Sequence, residues 1–533
     1  MTKRIILSLL PLAILLLIPA LSRQFFADNT ANFDGDLHLV ISTPHNESIR
    51  EEFSHAFNSY YKEKYNKTVT IDWRSPGGTS DCVRQLNDRF SVSFEKYWKK
   101  KHGSWDAKLA KAYKNYKLKL DDPAIDPLEK QAREEFLAST VGIEIDIFFG
   151  GGQYDHNKQA KMGHAVDAGM QTKHPDWFDE KIIPQYCSGE TFYHSKGAYY
   201  GVCLSSFGIC YNKERVKVLK LNVPTRWDDL ADPSYYNQTA IADPTKSGAI
   251  TKCFEMMIQQ KMAEALLRYP DDTKRAHQNG WSQGLNMIQR IGANARYFAD
   301  ASSKIPRSVA QGDTAAGMCI DFYGRTQAEF TAFQTGSERL KYITPEGGSS
   351  ISVDPIQLLR GAPNRELAIA FIEFCLSKPG QELWNNKLGT KNGPLRYALR
   401  RLPIRKDMYT DVYRKNMIDS DEDPYKQAVS FEYRGALTGP YFGLIRNFIK
   451  AMIIIPVDDL KTAWKAIIDA GGPKAVPQAY AAFTKLPFAY AEAKEARNSL
   501  GGGVLQSHQI IKGWARFFAE NYKEATRLAK ESK

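Results

Sequence analysis

The chain has 533 residues, 43% of them hydrophobic, with a net charge of +12. That length and apolar content support more than one packed domain and exclude a disordered or collagen-like polymer. Its seven cysteines contain no Cys-x-x-Cys pair, which argues against a zinc ribbon or a thioredoxin-type redox site.

Lys3 and Arg4 precede an apolar run from Ile5 to Leu21, followed by the small-x-small site Ala20-Leu21-Ser22. This layout predicts an exported chain whose residues 1–24 are a signal peptide, cleaved near Ser22. The run is also long enough to span a bilayer, so a retained anchor is the alternative. The expected location is the periplasm.

Leu37 to Ser42 reads as a strand. Ile49, Phe53, Phe57 and Tyr60 set a helical period over Asn46 to Tyr65, and Thr68 to Trp73 is a second strand. A helix then starts near Ser80. Residues 89–138 read as a helical insertion: nine lysines and a single acid, Asp106, lie between Lys96 and Lys119. Its lysines predict a solvated face and no part of the cleft. Nucleic acid is not an expected partner, since no binding motif accompanies the lysines. Ile143 to Phe149 is a third strand. Strand, helix, strand, helix, strand indicates an α/β fold with a mostly parallel sheet.

All three strands end in small polar loops: Ser42-Thr43-Pro44-His45, Pro76 to Ser80 and Gly150-Gly151-Gly152. Ligands of open parallel sheets bind beyond such strand ends, where glycines admit a close backbone approach and helix N-termini attract anions. The candidate ligand residues here are Ser42, Thr43, His45, Gly77, Gly78, Thr79, Gly151 and Gly152. Tyr200 to Asn212 is an apolar strand broken by Ser205, Ser206 and Gly208, which predicts a crossover between two lobes.

The second lobe follows, with a strand over Thr239 to Ala242 and a loop containing Thr245, Ser247 and Gly248 that opens a helix. Helices are expected over Gly280 to Ile291 and Ser308 to Gly312. A strand from Ala315 to Phe322 leads to Asp321, Tyr323 and Arg325, with Arg325 expected to grip an oxyanion in a bidentate pair. The chain returns through Leu340 to Ile343 and Gln357 to Leu359, followed by two helices and a mainly helical remainder. The expected units are 36–205, 206–342, a return segment 343–395 and a C-terminal helical region 396–533 packing on the lobes.

Several of these motifs together resemble the extracellular solute-binding proteins of ATP-driven importers, in the branch of ferric-ion, thiamine and phosphorylated-solute binders. They are Asp146-Ile147-Phe148-Phe149-Gly150-Gly151, Ser205-Ser206-Phe207-Gly208, Asp243-Pro244-Thr245-Lys246-Ser247-Gly248, Gly361-Ala362-Pro363-Asn364 and the helix pair around Phe371 and Pro379. The resemblance runs from about 37 to 400 apart from the insertion. It implies a two-lobed type II periplasmic-binding fold, a small-molecule or ion ligand in the interlobe cleft, a monomer, and membrane permease subunits served by a separate ATPase.

No cofactor is implied. The ferric-ion binders use a His, a Glu and two adjacent tyrosines; here His45 and Tyr323 match, while Gly150-Gly151-Gly152 and Phe322 stand at the other positions. A trivalent cation favours several anionic oxygens, so the expected ligand is a small oxyanion-bearing solute, with ferric iron on His45 and Tyr323 as the alternative. A membrane-tethered sensor is a third reading. An enzyme is not expected, because no Gly-x-Ser-x-Gly, His-Glu-x-x-His or Gly-x-x-x-x-Gly-Lys motif occurs.

Overall fold

A computed structural model describes residues 35–532; the expected signal peptide lies outside the described residues. β1 (Leu37–Ser42), α1 (Glu47–Tyr65) and β2 (Val69–Arg74) start the first sheet, with β1 and β2 parallel. Asn46 caps α1 by accepting from the Ile49 amide at 3.1 Å, and Asn66 in the left-handed region ends it.

α2 (Thr79–His102) is one continuous helix of 24 residues. Cys82, Leu86, Phe90, Phe94 and Trp98 recur every four residues along it and are buried. With Tyr113, Phe136 of α3 (Pro127–Ala138) and Ile143 they form a small hydrophobic core on the flank of the first sheet. The lysine-rich stretch is therefore a packed subdomain that begins inside α2, with its lysines on the solvated face as expected. Each large aromatic buried there contributes on the order of 2 kcal/mol.

The third strand is shorter than expected. Glu144 adopts φ +57°, which an extended strand cannot accommodate, so β3 is only Ile147–Phe149. After α4 (Gln153–Met162), β4 (Tyr200–Ser205) joins the first sheet and β5 (Phe207–Asn212) joins a second one. The chain changes sheets at Ser206.

The second sheet adds β6 (Thr239–Ala242), followed by α5 (Gly248–Arg268) and α6 (Thr273–Asn294), then β7 (Ala295–Ala299), β8 (Ala316–Ile320), α7 (Asp321–Thr335) and β9 (Leu340–Ile343). Its order is β7-β6-β8-β5-β9, parallel through β7, β6 and β8 and antiparallel at β5. The expected strand to Phe322 stops at Ile320, because Asp321 already opens α7.

β10 (Ser352–Leu359) carries the chain back. After α8 (Arg365–Leu376) and α9 (Lys378–Asn385), the two-residue β11 (Leu402–Pro403) completes the first sheet, whose order is β11-β4-β10-β3-β1-β2. The C-terminal helices α10 (Phe442–Ile449), α11 (Val457–Asp469) and α12 (Val504–Glu531) complete the second lobe. Phe448, Met452, Trp464, Phe518 and Tyr522 share one core with Trp281 and Ile288 of α6. No single described helix is long and apolar enough to cross a membrane. All seven cysteines are free, and six of them are buried.

α5 and α6 pack at backbone contact. A Cβ added at Gly280 would lie 2.3 Å from the Met262 Cα and 2.5 Å from its amide nitrogen. Neither backbone atom can rotate away. Gly280→Ala should therefore destabilise the protein by about 1–3 kcal/mol despite the better helix propensity of alanine, read as a lower urea midpoint with an unchanged m-value.

Candidate ligand cleft

A cavity of about 850 Å³ opens between the two sheets. Three helix N-termini reach it: Gly78-Thr79 of α2 and Gly152-Gln153 of α4 from the first lobe, and Ser247-Gly248 of α5 from the second. Gly78 and Gly152 at the N-cap positions carry no side chain to satisfy the first-turn N–H groups. Those groups, with the macrodipoles behind them, create a positive electrostatic lining without a formal charge.

The glycine loop after β3 is required by close packing. Gly150 and Gly151 have φ +90° and +100°, and a Cβ on either would lie 2.4 Å from His45 Nε2 or 2.6 Å from Thr79 Cγ2. His156 Nε2–H donates to the Gly150 carbonyl at 2.9 Å, while its ring stacks on Phe148 at 4.3 Å.

At the floor, four side chains form a buried polar chain. The Asp354 carboxylate accepts from the Gly151 amide at 3.0 Å and from His45 Nε2–H at 3.1 Å, and pairs with Arg401 Nη1 at 2.6 Å. Arg401 Nη2–H donates to Ser205 Oγ at 2.7 Å, and its guanidinium lies over the Phe322 ring at 4.3 Å. Burial works to raise the Asp354 carboxyl, but the adjacent Arg401 charge and the His45 bond hold it well below the usual carboxylate range. Burial pushes His45 down, leaving a neutral imidazole. His45 Nδ1 and Arg401 Nε are buried without a partner.

A second polar group joins the lobes. Lys252 of α5 pairs with Glu190 of the first lobe at 2.8 Å and with Glu255 at 3.1 Å, and sits 3.5 Å over the Tyr433 ring. Burial opposes its charge, but the two carboxylates keep it protonated.

Of the residues expected at the ligand, His45, Gly77, Gly78, Thr79, Gly151, Gly152, Ser205, Ser247, Gly248 and Tyr323 line this cavity. The others do not. Ser42 is fully buried at the end of β1, and Thr43 Oγ1 accepts from the His45 amide at 3.1 Å. Ser206 Oγ bonds to Tyr342 and Thr344. Thr245 Oγ1–H donates to Asp243 at 2.6 Å and receives Lys450.

Arg325 is the clearest correction. Because α7 starts at Asp321, the two are four residues apart on one helix and pair at 2.8 Å, with Asp419 at 3.7 Å on the far side. The guanidinium is consumed by these carboxylates, away from the cleft. Arg401 lines the cavity in its place. Nothing in the sequence around Arg400-Arg401-Leu402 marks it, since a two-residue strand places it. Asp354 carried a readable signal: an acid followed by proline inside a fully buried, mainly apolar strand.

The insertion also departs from expectation, because Tyr116 and Lys117 line the cavity mouth. For iron, the donor set is poor. His45 Nε2 is already bonded to Asp354, desolvation raises the Tyr323 phenol, and the described residues contain no group of three or more His, Cys, Asp or Glu side chains suited to a metal.

Residues 145–394 match the family of bacterial extracellular solute-binding proteins. Among curated relatives, the phosphoglycerate transport regulatory protein PgtC of Salmonella typhimurium is 24% identical over 187 residues, 34% of this chain and 39% of that protein. The chain spans 39% to 60% of the length of the curated relatives it matches. Among solved structures, the periplasmic binding protein AfuA of Actinobacillus pleuropneumoniae, with fructose 6-phosphate bound, is 18% identical, with coverage of 77% and 99% and a TM-score of 0.44. Iron-bound HitA of Pseudomonas aeruginosa is 14% identical, with coverage of 78% and 99% and a TM-score of 0.48.

Two outcomes follow for stability. Asp354→Asn leaves the Arg401 charge buried without a counter-ion and should cost about 3–5 kcal/mol in urea unfolding. His156 is pushed down to about 4 by burial. Its folded value is below the unfolded one, so its contribution is complete above about pH 6.5 and is lost as pH falls toward 4. The loss is roughly 3 kcal/mol at 1.36 kcal/mol per unit. His156→Gln should flatten the stability profile over that window.

Proposed function

We propose that this protein is the solute-binding component of an ABC-type importer, capturing a small oxyanion-bearing organic solute, such as a phosphorylated one, between its lobes. It then delivers the solute to a membrane permease driven by a separate ATPase. The observation that carries this reading is the convergence of three helix N-termini, from both lobes, on one cavity. An anion placed there collects first-turn N–H groups of α2, α4 and α5 together with the hydroxyls of Thr79 and Ser247. Because the donors are divided between lobes, all of them are engaged only when the lobes approach, which couples binding to closure. The relative named for phosphoglycerate transport supports an anionic solute.

The protein acts here by binding and releasing, without a reaction of its own. Asp354 holds the Gly151 amide and Arg401 in place, so the floor is organised before the ligand arrives. In this reading the chain works as a monomer in the periplasm, exported by its N-terminal segment.

Calorimetry of the full-length chain with a panel of phosphorylated solutes and with ferric citrate tests the reading. A hydrogen bond to a charged group is worth about 1.5–3 kcal/mol, so Thr79→Ala and Ser247→Ala should each weaken binding of a phosphorylated solute roughly ten- to a hundredfold. Arg325→Met should leave affinity unchanged while lowering stability. Tight binding of ferric citrate that collapses in Tyr323→Phe, with no response to phosphorylated solutes, would replace the anion reading with the metal one.

A further inference from the structure

The charges around the cavity do not cancel. Its carboxylates are already engaged: Glu190 and Glu255 by Lys252, and Asp354 by Arg401 and His45. Asp155 stands at the first turn of α4, where desolvation raises its carboxyl against the opposing charges of Arg446 and Lys158. On the cationic side, Lys117, Lys158 and Lys161 line the mouth, exposed, and none has a carboxylate within 4 Å among the described residues. Lys246 repeats this arrangement at the second lobe.

The three first-lobe lysines form one group. Lys158 and Lys161 are one turn apart on α4, and the Lys161 ammonium lies 6.0 Å from the Tyr116 ring, beside Lys117. Their distance from the floor follows from helix geometry. At 1.5 Å per residue, Lys158 and Lys161 are about 9 Å and about 14 Å along the axis from Gly152, and helical side chains lean back toward the N-terminus. The ammonium groups thus sit one organic body away from the first-turn N–H groups. A cavity of about 850 Å³ is also near the upper end of the roughly 300–1,000 Å³ common for organic ligands.

We infer that the solute carries two separated anionic groups, one held at the helix N-termini and the second, a phosphate or carboxylate, held at the mouth by Lys117, Lys158 and Lys161. This deepens the anion reading above and rests on it. It also gives the insertion a role. The Phe90, Phe94 and Trp98 core of α2 fixes the subdomain on the first sheet, and the subdomain presents Lys117 to the second anion.

The test is calorimetry on the full-length protein with inorganic phosphate, glucose 6-phosphate and fructose 1,6-bisphosphate, for the native chain and for K117Q/K158Q/K161Q. The three lysines are exposed, so the variant should keep the native unfolding midpoint, checked by thermal melting. The bisphosphate should bind the native chain at least tenfold more tightly than the monophosphate. The triple variant should lose that advantage while its monophosphate affinity stays the same, and the advantage should shrink as sodium chloride rises from 50 to 500 mM. Equal affinities for the two sugars in the native chain, or an advantage that survives in the triple variant, would overturn the inference and leave the anion reading standing. Failure of every phosphorylated probe to bind would overturn the anion reading itself.

Discussion

The Asp354 carboxylate cannot be left alone where β10 places it. Nearly excluded from solvent, it needs counter-charge and hydrogen bonds, and three separate parts of the chain supply them: the loop after β3 through Gly151, the loop after β1 through His45, and the stretch before β11 through Arg401. One buried charge thereby aligns the strand-end loops that make the ligand cleft. It also explains a strand of only two residues. β11 is fastened to β4 at Leu402 and Pro403, and the ion pair beside it holds Arg401 against Ser205 and Phe322.

The C-terminal region is structural before it is functional. Its helices fill the side of the second lobe that α6 leaves open, burying Phe448, Trp464, Phe518 and Tyr522. Having been anchored there, α10 reaches the first lobe: Phe442 packs on Tyr154 at 5.0 Å, and Arg446 Nη1–H donates to Ser80 Oγ at 3.3 Å. Lys450 meanwhile pairs with Asp243 at 3.4 Å, within the loop that opens α5. The extension therefore supports the loop that opens α5 and closes one wall of the cleft. Both additions to the two-lobed plan, the insertion and the extension, border the cavity from opposite sides of the chain order.

Much of the first sheet was legible because its signals are local. Alternating apolar residues mark β1 and β2, the four-residue spacing of Phe53 and Phe57 marks α1, and glycine after β3 marks a loop that no Cβ fits. The split at Ser206 was legible as well, since hydroxyls and a glycine interrupt an apolar run that would otherwise stay in one sheet. Arg325 misled for a local reason too: a boundary error of two residues moved Asp321 from a strand end to a helix start, and an i,i+4 ion pair then removed the guanidinium from the cleft.

The sequence by itself determined the class of fold, the strand-end loops and the small polar residues at three helix starts. Each of these depends on neighbours within a few positions. It did not determine which charges meet. Asp354 and Arg401 are 47 positions apart, Glu190 and Lys252 are 62 apart, and Lys117 reaches the cleft only because α2 is anchored by an aromatic core. The desolvation that makes these pairings necessary exists only once the sheets are packed, so only the tertiary structure decided which cations were neutralised and which were left lining the cleft.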